Sequence, residues 1–282
     1  MTPTAQTTLV LAGTGKTGRR VASGLLAHDV PVRVGSRRAD TPFDWQDDTT
    51  WEPALHGIDA AYVAFYPDAA FPGAAATVGS FADLAVDCGV RRLVLLADRG
   101  AGEAERCEQA VRDSGAEWTV VRAGFITQNF SEAFLAESVR AGVVALPAGG
   151  VAEPFTDAED IADVAVAALT GNGHGGRIHD VTGPRLLTFA EAVGEIARAA
   201  RRDVRYMPVT PEHFISSLTA RGVPAEYATQ LAGLMAEVFD GRRAAVTDTV
   251  ERVLGRSPRD FAEYAHETAA TGVWDTRAGS SG

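Results

Sequence analysis

The residues of this chain best suited to chemistry come early. Gly13-Thr14-Gly15-Lys16-Thr17-Gly18 follows an apolar run over residues 9–12 and precedes Val21, Ala22, Leu25 and Leu26 at helical spacing. Strand, G-x-G-x-x-G and helix, in that order, make a diphosphate cradle. Gly13 permits a tight turn, Gly15 lets a pyrophosphate approach the backbone, and Gly18 lets helix and strand pack closely. The helix N-terminus offers unsatisfied N–H groups and a partial positive charge to the phosphates. Gly15-Lys16-Thr17 also resembles the end of a nucleoside-triphosphate loop, but Val10 stands where that motif needs its first glycine. A dinucleotide, not a triphosphate, is expected.

A second strand over residues 30–34 runs into Gly35-Ser36-Arg37-Arg38. An acid at this strand end would accept from the ribose 2′-hydroxyl of NAD, whereas a base would accommodate the 2′-phosphate of NADP. No acid occupies position 35 or 36, and a guanidinium grips phosphate bidentately. NADP(H) is therefore the expected cofactor. The competing reading is a solvated basic loop balanced by Asp40.

Hydride delivery to a carbonyl also needs a group to stabilise or protonate the emerging oxyanion. Tyr66 and Asp98 sit at strand ends, and Asn129 follows a third. Tyr66 is either a donor or a ring packed on the cofactor. Asp98 is a base, an acid if its pKa is raised, or the cap of the next helix. Asn129 orients a carbonyl or braces its loop. Tyr62, Tyr206, Tyr227 and Tyr264 read as packing residues, and His174 and His179 as structural ones. The six histidines show no ligand spacing, so no metal is expected.

These groups need a scaffold to hold them. Strands are predicted over residues 43–45, 60–65, 92–97, 118–122 and 177–181, with helices over 74–87, 103–114 and 161–169. Such alternation predicts an α/β fold, a Rossmann doubly wound parallel sheet that binds ligands at its C-terminal strand ends. Later come a helical piece at 132–140 and an acidic first turn at Asp157-x-Glu159-Asp160. A Thr188-x-x-Glu191 capping box opens a helix to Ala200. Pro208-Val209-Thr210-Pro211 and Pro224 start further helices, and Ser257-Pro258 is expected to cap the last. The expected division is an NADP-binding domain over 1–182, with 125–155 contributing to the substrate pocket. A small, mostly helical substrate domain follows over 183–275, then a flexible tail over 276–282.

At 282 residues the chain can bury a sizeable core, and its net charge of −11 argues against nucleic acid as a partner. Cys88 and Cys107 are only two, at no metal spacing, and read as reduced thiols. The first residues carry no basic region or apolar signal core, and no run reaches membrane length. A cytoplasmic protein with no membrane partner is expected; its oligomeric state is left open.

Taken together, these residues resemble the NmrA-like branch of the atypical short-chain dehydrogenases/reductases along nearly the whole chain. The resemblance rests on Gly13 to Arg20, Phe43-Asp44-Trp45, Arg122-Ala123-Gly124-Phe125 and Gln128-Asn129-Phe130. It continues in Pro154-Phe155, Asp160-Ile161-Ala162, Thr182-Gly183-Pro184 and Gly272-Val273-Trp274. It implies NADP(H) in a cleft, with Lys16 and Thr17 along the phosphates, Arg37 at the 2′-phosphate, and Asp44 and Trp45 near the adenine. Phe65, Ala97 and Phe125 are implied to line the channel. Typical members use Tyr-x-x-x-Lys and a strand-end serine. Here residues 100–111 hold neither tyrosine nor lysine, Ala97 replaces the serine, and Lys16 is the only lysine.

Two functions fit. One is an NADPH-dependent reductase of an aromatic ketone or quinone, a ketoreductase of antibiotic or other secondary metabolism. A quinone gives a stable anion, and a neighbouring phenol steadies an alkoxide, so either substrate relaxes the need for a protein donor. Phe71, Phe125, Phe130 and Phe155 suit a flat aromatic pocket, though such a stripe is equally a core. The other function is a non-catalytic NADP(H)-sensing regulator.

Overall fold

The opening apolar run forms β1 (Thr8–Leu11), buried along its length. The structure, a computed structural model, describes residues 7–100, 102–242 and 244–276. Most of the expected tail, residues 277–282, lies outside these. In chain order β1 is followed by α1 (Gly18–Ala27), β2 (Val32–Gly35), α2 (Trp51–Leu55), β3 (Ala60–Val63), α3 (Ala74–Asp87), β4 (Arg92–Asp98), α4 (Gly102–Asp113) and β5 (Glu117–Ala123). Then come α5 (Asn129–Glu132), α6 (Ala136–Arg140), β6 (Val143–Leu146), β7 (Ala152–Glu153), α7 (Ala158–Thr170), β8 (Arg177–Val181), β9 (Leu187–Thr188) and α8 (Phe189–Ala200). The chain closes with β10 (Arg205–Pro208), α9 (Pro211–Ala220), α10 (Ala225–Val238), α11 (Thr249–Leu254) and α12 (Phe261–Ala270).

The described residues divide into two units. The first takes in Met1–Ala123, Ala158–Val181 and Asp248–Arg256, and the second Gly124–Asp157, Thr182–Thr247 and Ser257–Gly282. The chain thus leaves and re-enters each unit. Residues 124–157 group with the later segments, and 248–256 return to the first unit as α11.

The first unit is built on six parallel strands in the order β2-β1-β3-β4-β5-β8. Its register pairs Thr8 with Val32 on one side of β1 and with Ala60 on the other. Consecutive strands run outward in opposite directions from β1, so the turn after β1 lies at the topological switch point, where ligands bind in such sheets. β1 and β3 are fully buried, as strands covered on both faces must be. Tyr62 is part of that core, and burial pushes its hydroxyl well above its ordinary range.

Residues 43–45 were expected to be a strand but do not join the sheet; Asp44 makes a single bridge to Asp47. The reason is packing. Phe43, Trp45, Trp51, Phe65 and Phe81 bury against one another, with Trp45 at 4.9 Å from Phe65 and 5.0 Å from Phe43. Side chains also take the place of ladder bonds: Asp44 N–H donates to Thr50 Oγ1 (3.0 Å) and Trp51 Nε1 donates to the Asp44 carbonyl (2.8 Å).

The second unit has its own core, centred on Phe130, Phe155, Phe189, Phe239, Phe261 and Trp274. Helices α5, α6, α8, α9, α10 and α12 are joined there by two small sheets, parallel β6–β10 and antiparallel β7–β9. The capping box at Thr188 and Glu191 opens α8 as expected. The last helix starts later than Ser257-Pro258: Asp260 caps it and forms a second capping box with Glu263. Among the described residues no helix is long and apolar enough to cross a membrane.

Candidate functional site: a cofactor pocket and two carboxyl groups at the C-terminal end of the sheet

The glycine turn is shaped by three steric demands. A Cβ on Gly18 would strike the Ala12 carbonyl and come within 2.9 Å of Gly13 Cα, so α1 can start this close to β1 only at glycine. A Cβ on Gly13 would meet Val34 Cγ1 at 2.8 Å, and one on Gly15 would approach the Ala12 oxygen to 3.1 Å. The left-handed residue of the turn is Ala12, with φ of 49°. Gly13 N–H donates to Gly35 O and Gly15 N–H to Ala12 O (2.8 Å), so both amides serve the turn itself. The N–H groups of Thr14, Thr17 and Gly18 have no acceptor among the described residues, and Thr17 does not cap α1 with its side chain. That leaves a ten-residue helix with an open N-terminus, a setting that favours an anion. Arg20 braces it, donating from Nε to Glu159 (2.6 Å) and from a terminal nitrogen to the Lys16 carbonyl (2.8 Å).

Beside the turn lies a cavity of about 820 Å³. Thr14, Gly15, Ser36, Arg37, Arg38, Asp44, Trp45 and Tyr66 all line it, together with Ala12, Gly35 and Phe43. Its volume is that of a cofactor-sized pocket. Arg37 and Arg38 are exposed at its wall and form no ion pair among the described residues; Asp40 does not balance them. Two unpaired guanidinium groups beside an open helix N-terminus fit a phosphorylated dinucleotide.

At the C-terminal end of the same sheet, Asp98 is the last residue of β4. Asp68, in the segment after β3, acts on it as a neighbouring like charge. Desolvation, and then the Asp68 charge, hold Asp98 well above the usual carboxylate range, while Lys16 pulls it down. A raised pKa is what an acid role demands of a carboxyl. Asp68 was not legible as a site residue, since its partner is 30 positions away and only the sheet brings the two together.

The remaining candidates are placed as follows. Gly13, Thr17 and Gly18 are buried under the turn, and Ala97 is buried within β4. Phe65 packs on Trp45. Phe125 and Asn129 belong to the second unit. Asn129 Oδ1 is buried without a hydrogen-bond partner among the described residues. Phe130 and Phe155 are core residues, 5.7 and 5.2 Å from Phe261, rather than the walls of an aromatic pocket. Among the described residues no three His, Cys, Asp or Glu side chains converge as a metal site.

Several motif residues turn out to be architectural. Arg122 makes two bonds to the buried Glu108 (2.5 and 2.7 Å), which Arg112 also reaches at 3.0 Å. Gly183 admits the Phe155 carbonyl where any Cβ would stand, and Trp274 Nε1 donates to the Phe130 carbonyl at 2.7 Å. His174 Nδ1 and His179 Nε2 share a hydrogen bond of 2.9 Å at the buried end of β8. Desolvation, followed by His174, lowers the His179 pKa to about 4.

No family model matches the chain. An NAD(P)H azoreductase of Xenophilus azovorans is 32% identical over 286 residues, spanning 93% of this chain and 98% of that protein. A (4-alkanoyl-5-oxo-2,5-dihydrofuran-3-yl)methyl phosphate reductase of Streptomyces griseus is 33% identical over 287 residues, spanning 93% and 97%. Among solved structures, the NADPH-dependent quinone oxidoreductase of Escherichia coli complexed with NADPH has a TM-score of 0.77 over 93% of this chain and 99% of that one. At 19% identity this is a likeness of fold.

Proposed function

This chain belongs to the NAD(P)H-binding oxidoreductases of the atypical short-chain dehydrogenase/reductase type, and we propose that it is an NADPH-dependent reductase of an aromatic, polyketide-like ketone or a quinone. Within that type the motifs around Gly13, Phe125 and Trp274 support the NmrA-like branch. Arg37 and Arg38, unpaired at the pocket wall, support NADPH over NADH. A role in antibiotic or other secondary metabolism draws support from the relationship to the Streptomyces reductase.

When bound, the reduced nicotinamide supplies the hydride. The chain supplies the rest. The amides of Thr14, Thr17 and Gly18, at the N-terminus of α1, hold the diphosphate, with Lys16 and Thr17 alongside. Arg37 and Arg38 hold the 2′-phosphate, and Asp44 and Trp45 bound the adenine end. Phe65, Ala97 and Phe125 are assigned to the cofactor channel. Asp98 carries the proton that the oxyanion of the acceptor takes up, and the burial of its carboxyl and the Asp68 charge beside it keep this proton in place. Once it leaves, Lys16 offsets the paired negative charge. The buried Asn129 Oδ1, unpartnered among the described residues, is assigned to orienting a substrate hydroxyl.

The observation that carries this reading is the cofactor-sized pocket that Arg37 and Arg38 line beside the open N-terminus of α1. The test is to mix the protein with NADPH and a panel of quinones and polyphenolic ketones while following the absorbance of the reduced nicotinamide. Acceptor-dependent oxidation is expected. Tight NADPH binding without oxidation by any acceptor would replace the reductase with the NADP(H) sensor.

A further inference from the structure

Tyr66 follows the end of β3 and Arg37 follows the end of β2. β2 and β3 lie on opposite sides of β1. Their side chains nevertheless meet: the Arg37 guanidinium carbon lies over the Tyr66 ring, 5.8 Å from its centroid. Both line the cavity that Thr14 and Gly15 line from the end of β1. The pair therefore spans the glycine turn from one flanking strand to the other.

Tyr66 is 62% exposed, and its hydroxyl has no hydrogen-bond partner among the described residues. A ring so placed needs a reason. A guanidinium held over an aromatic ring by cation–π attraction spends none of its N–H groups on that contact, so they stay available to grip a phosphate bidentately. It also starts with less rotamer freedom to lose on binding.

We propose that Tyr66 is a positioning residue rather than a proton donor: its ring carries the Arg37 guanidinium across the pocket and so sets the preference for NADPH over NADH. This rests on reading the cavity as the adenosine end of the cofactor site. It withdraws Tyr66 from the acid–base chemistry and leaves Asp98 unaffected.

The test measures affinity rather than turnover. Dissociation constants for NADPH and NADH are obtained by calorimetry on the full chain and on Tyr66→Phe, Tyr66→Trp, Tyr66→Leu and Arg37→Ala. An exposed cation–π contact predicts that Tyr66→Leu weakens NADPH about two- to fivefold and leaves NADH unchanged. Tyr66→Phe should retain the wild-type ratio and Tyr66→Trp should equal or exceed it. On the Arg37→Ala background Tyr66→Leu should cost nothing more, because the partner is already gone. Equal losses for NADPH and NADH in Tyr66→Leu would overturn the proposal. So would loss of turnover in Tyr66→Phe at unchanged affinity, which would mark a donor. Wild-type protein that binds neither nicotinamide would sink the cofactor reading. Protein that binds NADPH but reduces nothing would sink only the reductase reading and leave the Tyr66 affinities interpretable.

Discussion

Asp68, in the segment after β3, and Asp98, the last residue of β4, act on each other as neighbouring like charges at the C-terminal end of the parallel sheet. Such a pair holds one proton more tightly than either group alone, because ionising both would place like charges side by side. In a chain with a single lysine, it is a source of acidity that does not depend on a tyrosine.

Asp98→Asn should lower kcat by about 10²–10⁴-fold, the range of a general acid, and leave NADPH affinity unchanged. The sign for stability is opposite. A carboxyl whose folded pKa is raised contributes stability that is fully present below its ordinary value of 3.8 and lost as pH rises through the folded pKa. Asn does not titrate, so the Tm of the variant should fall less than that of the wild type as pH rises through that pKa. A helix cap would behave in the reverse way. In the wild type kcat should fall as pH rises through the raised pKa. Asp68→Asn should move that fall to lower pH by removing the like charge.

Arg37→Ala should weaken NADPH about ten- to hundredfold, the worth of a charge-assisted phosphate contact, with little change for NADH. Calorimetry with both cofactors checks it. Equal losses would remove the 2′-phosphate from this position.

Ala12 occupies left-handed backbone with a side chain that disfavours it. Ala12→Gly should therefore stabilise the chain by about 0.5–1 kcal/mol, the relief of strain exceeding the extra entropy of glycine. Gly18→Ala, whose Cβ would enter the Ala12 carbonyl, should destabilise by about 1–3 kcal/mol, as overpacking does, and should also weaken NADPH by displacing the start of α1. Thermal unfolding of both variants tests the pair.

His179 is buried against His174 with its pKa lowered from 6.5 to about 4. In the unfolded chain it takes up a proton near 6.5; in the folded chain it does not do so until about 4. Its contribution to stability is thus fully present above 6.5 and is lost as pH falls through that window towards about 4. His179→Gln should flatten the fall of Tm between those pH values; an unchanged slope would place the acid sensitivity elsewhere.

What the sequence determined by itself was what neighbours along the chain decide. The glycines at 13, 15 and 18 encode a close approach of backbone to backbone within one turn, and Ser36-Arg37-Arg38 encodes the charge at a strand end. The Thr188–Glu191 box was legible because both partners lie within one helical turn. The β8 strand, Arg177–Val181, followed from alternation and bounding turns. The tertiary structure decided what depends on distance through space. An aromatic triplet such as Phe43-Asp44-Trp45 satisfies a strand and a cluster equally well until Trp51 and Phe81 are beside it. Only pairing across the sheet put Asp68 against Asp98 and Tyr66 under Arg37, and only long-range contact paired β6 with β10 and returned α11 to the first unit. Spacing encodes backbone geometry and local charge. The protonation of a carboxyl and the aim of a guanidinium are set by whatever the fold places next to them.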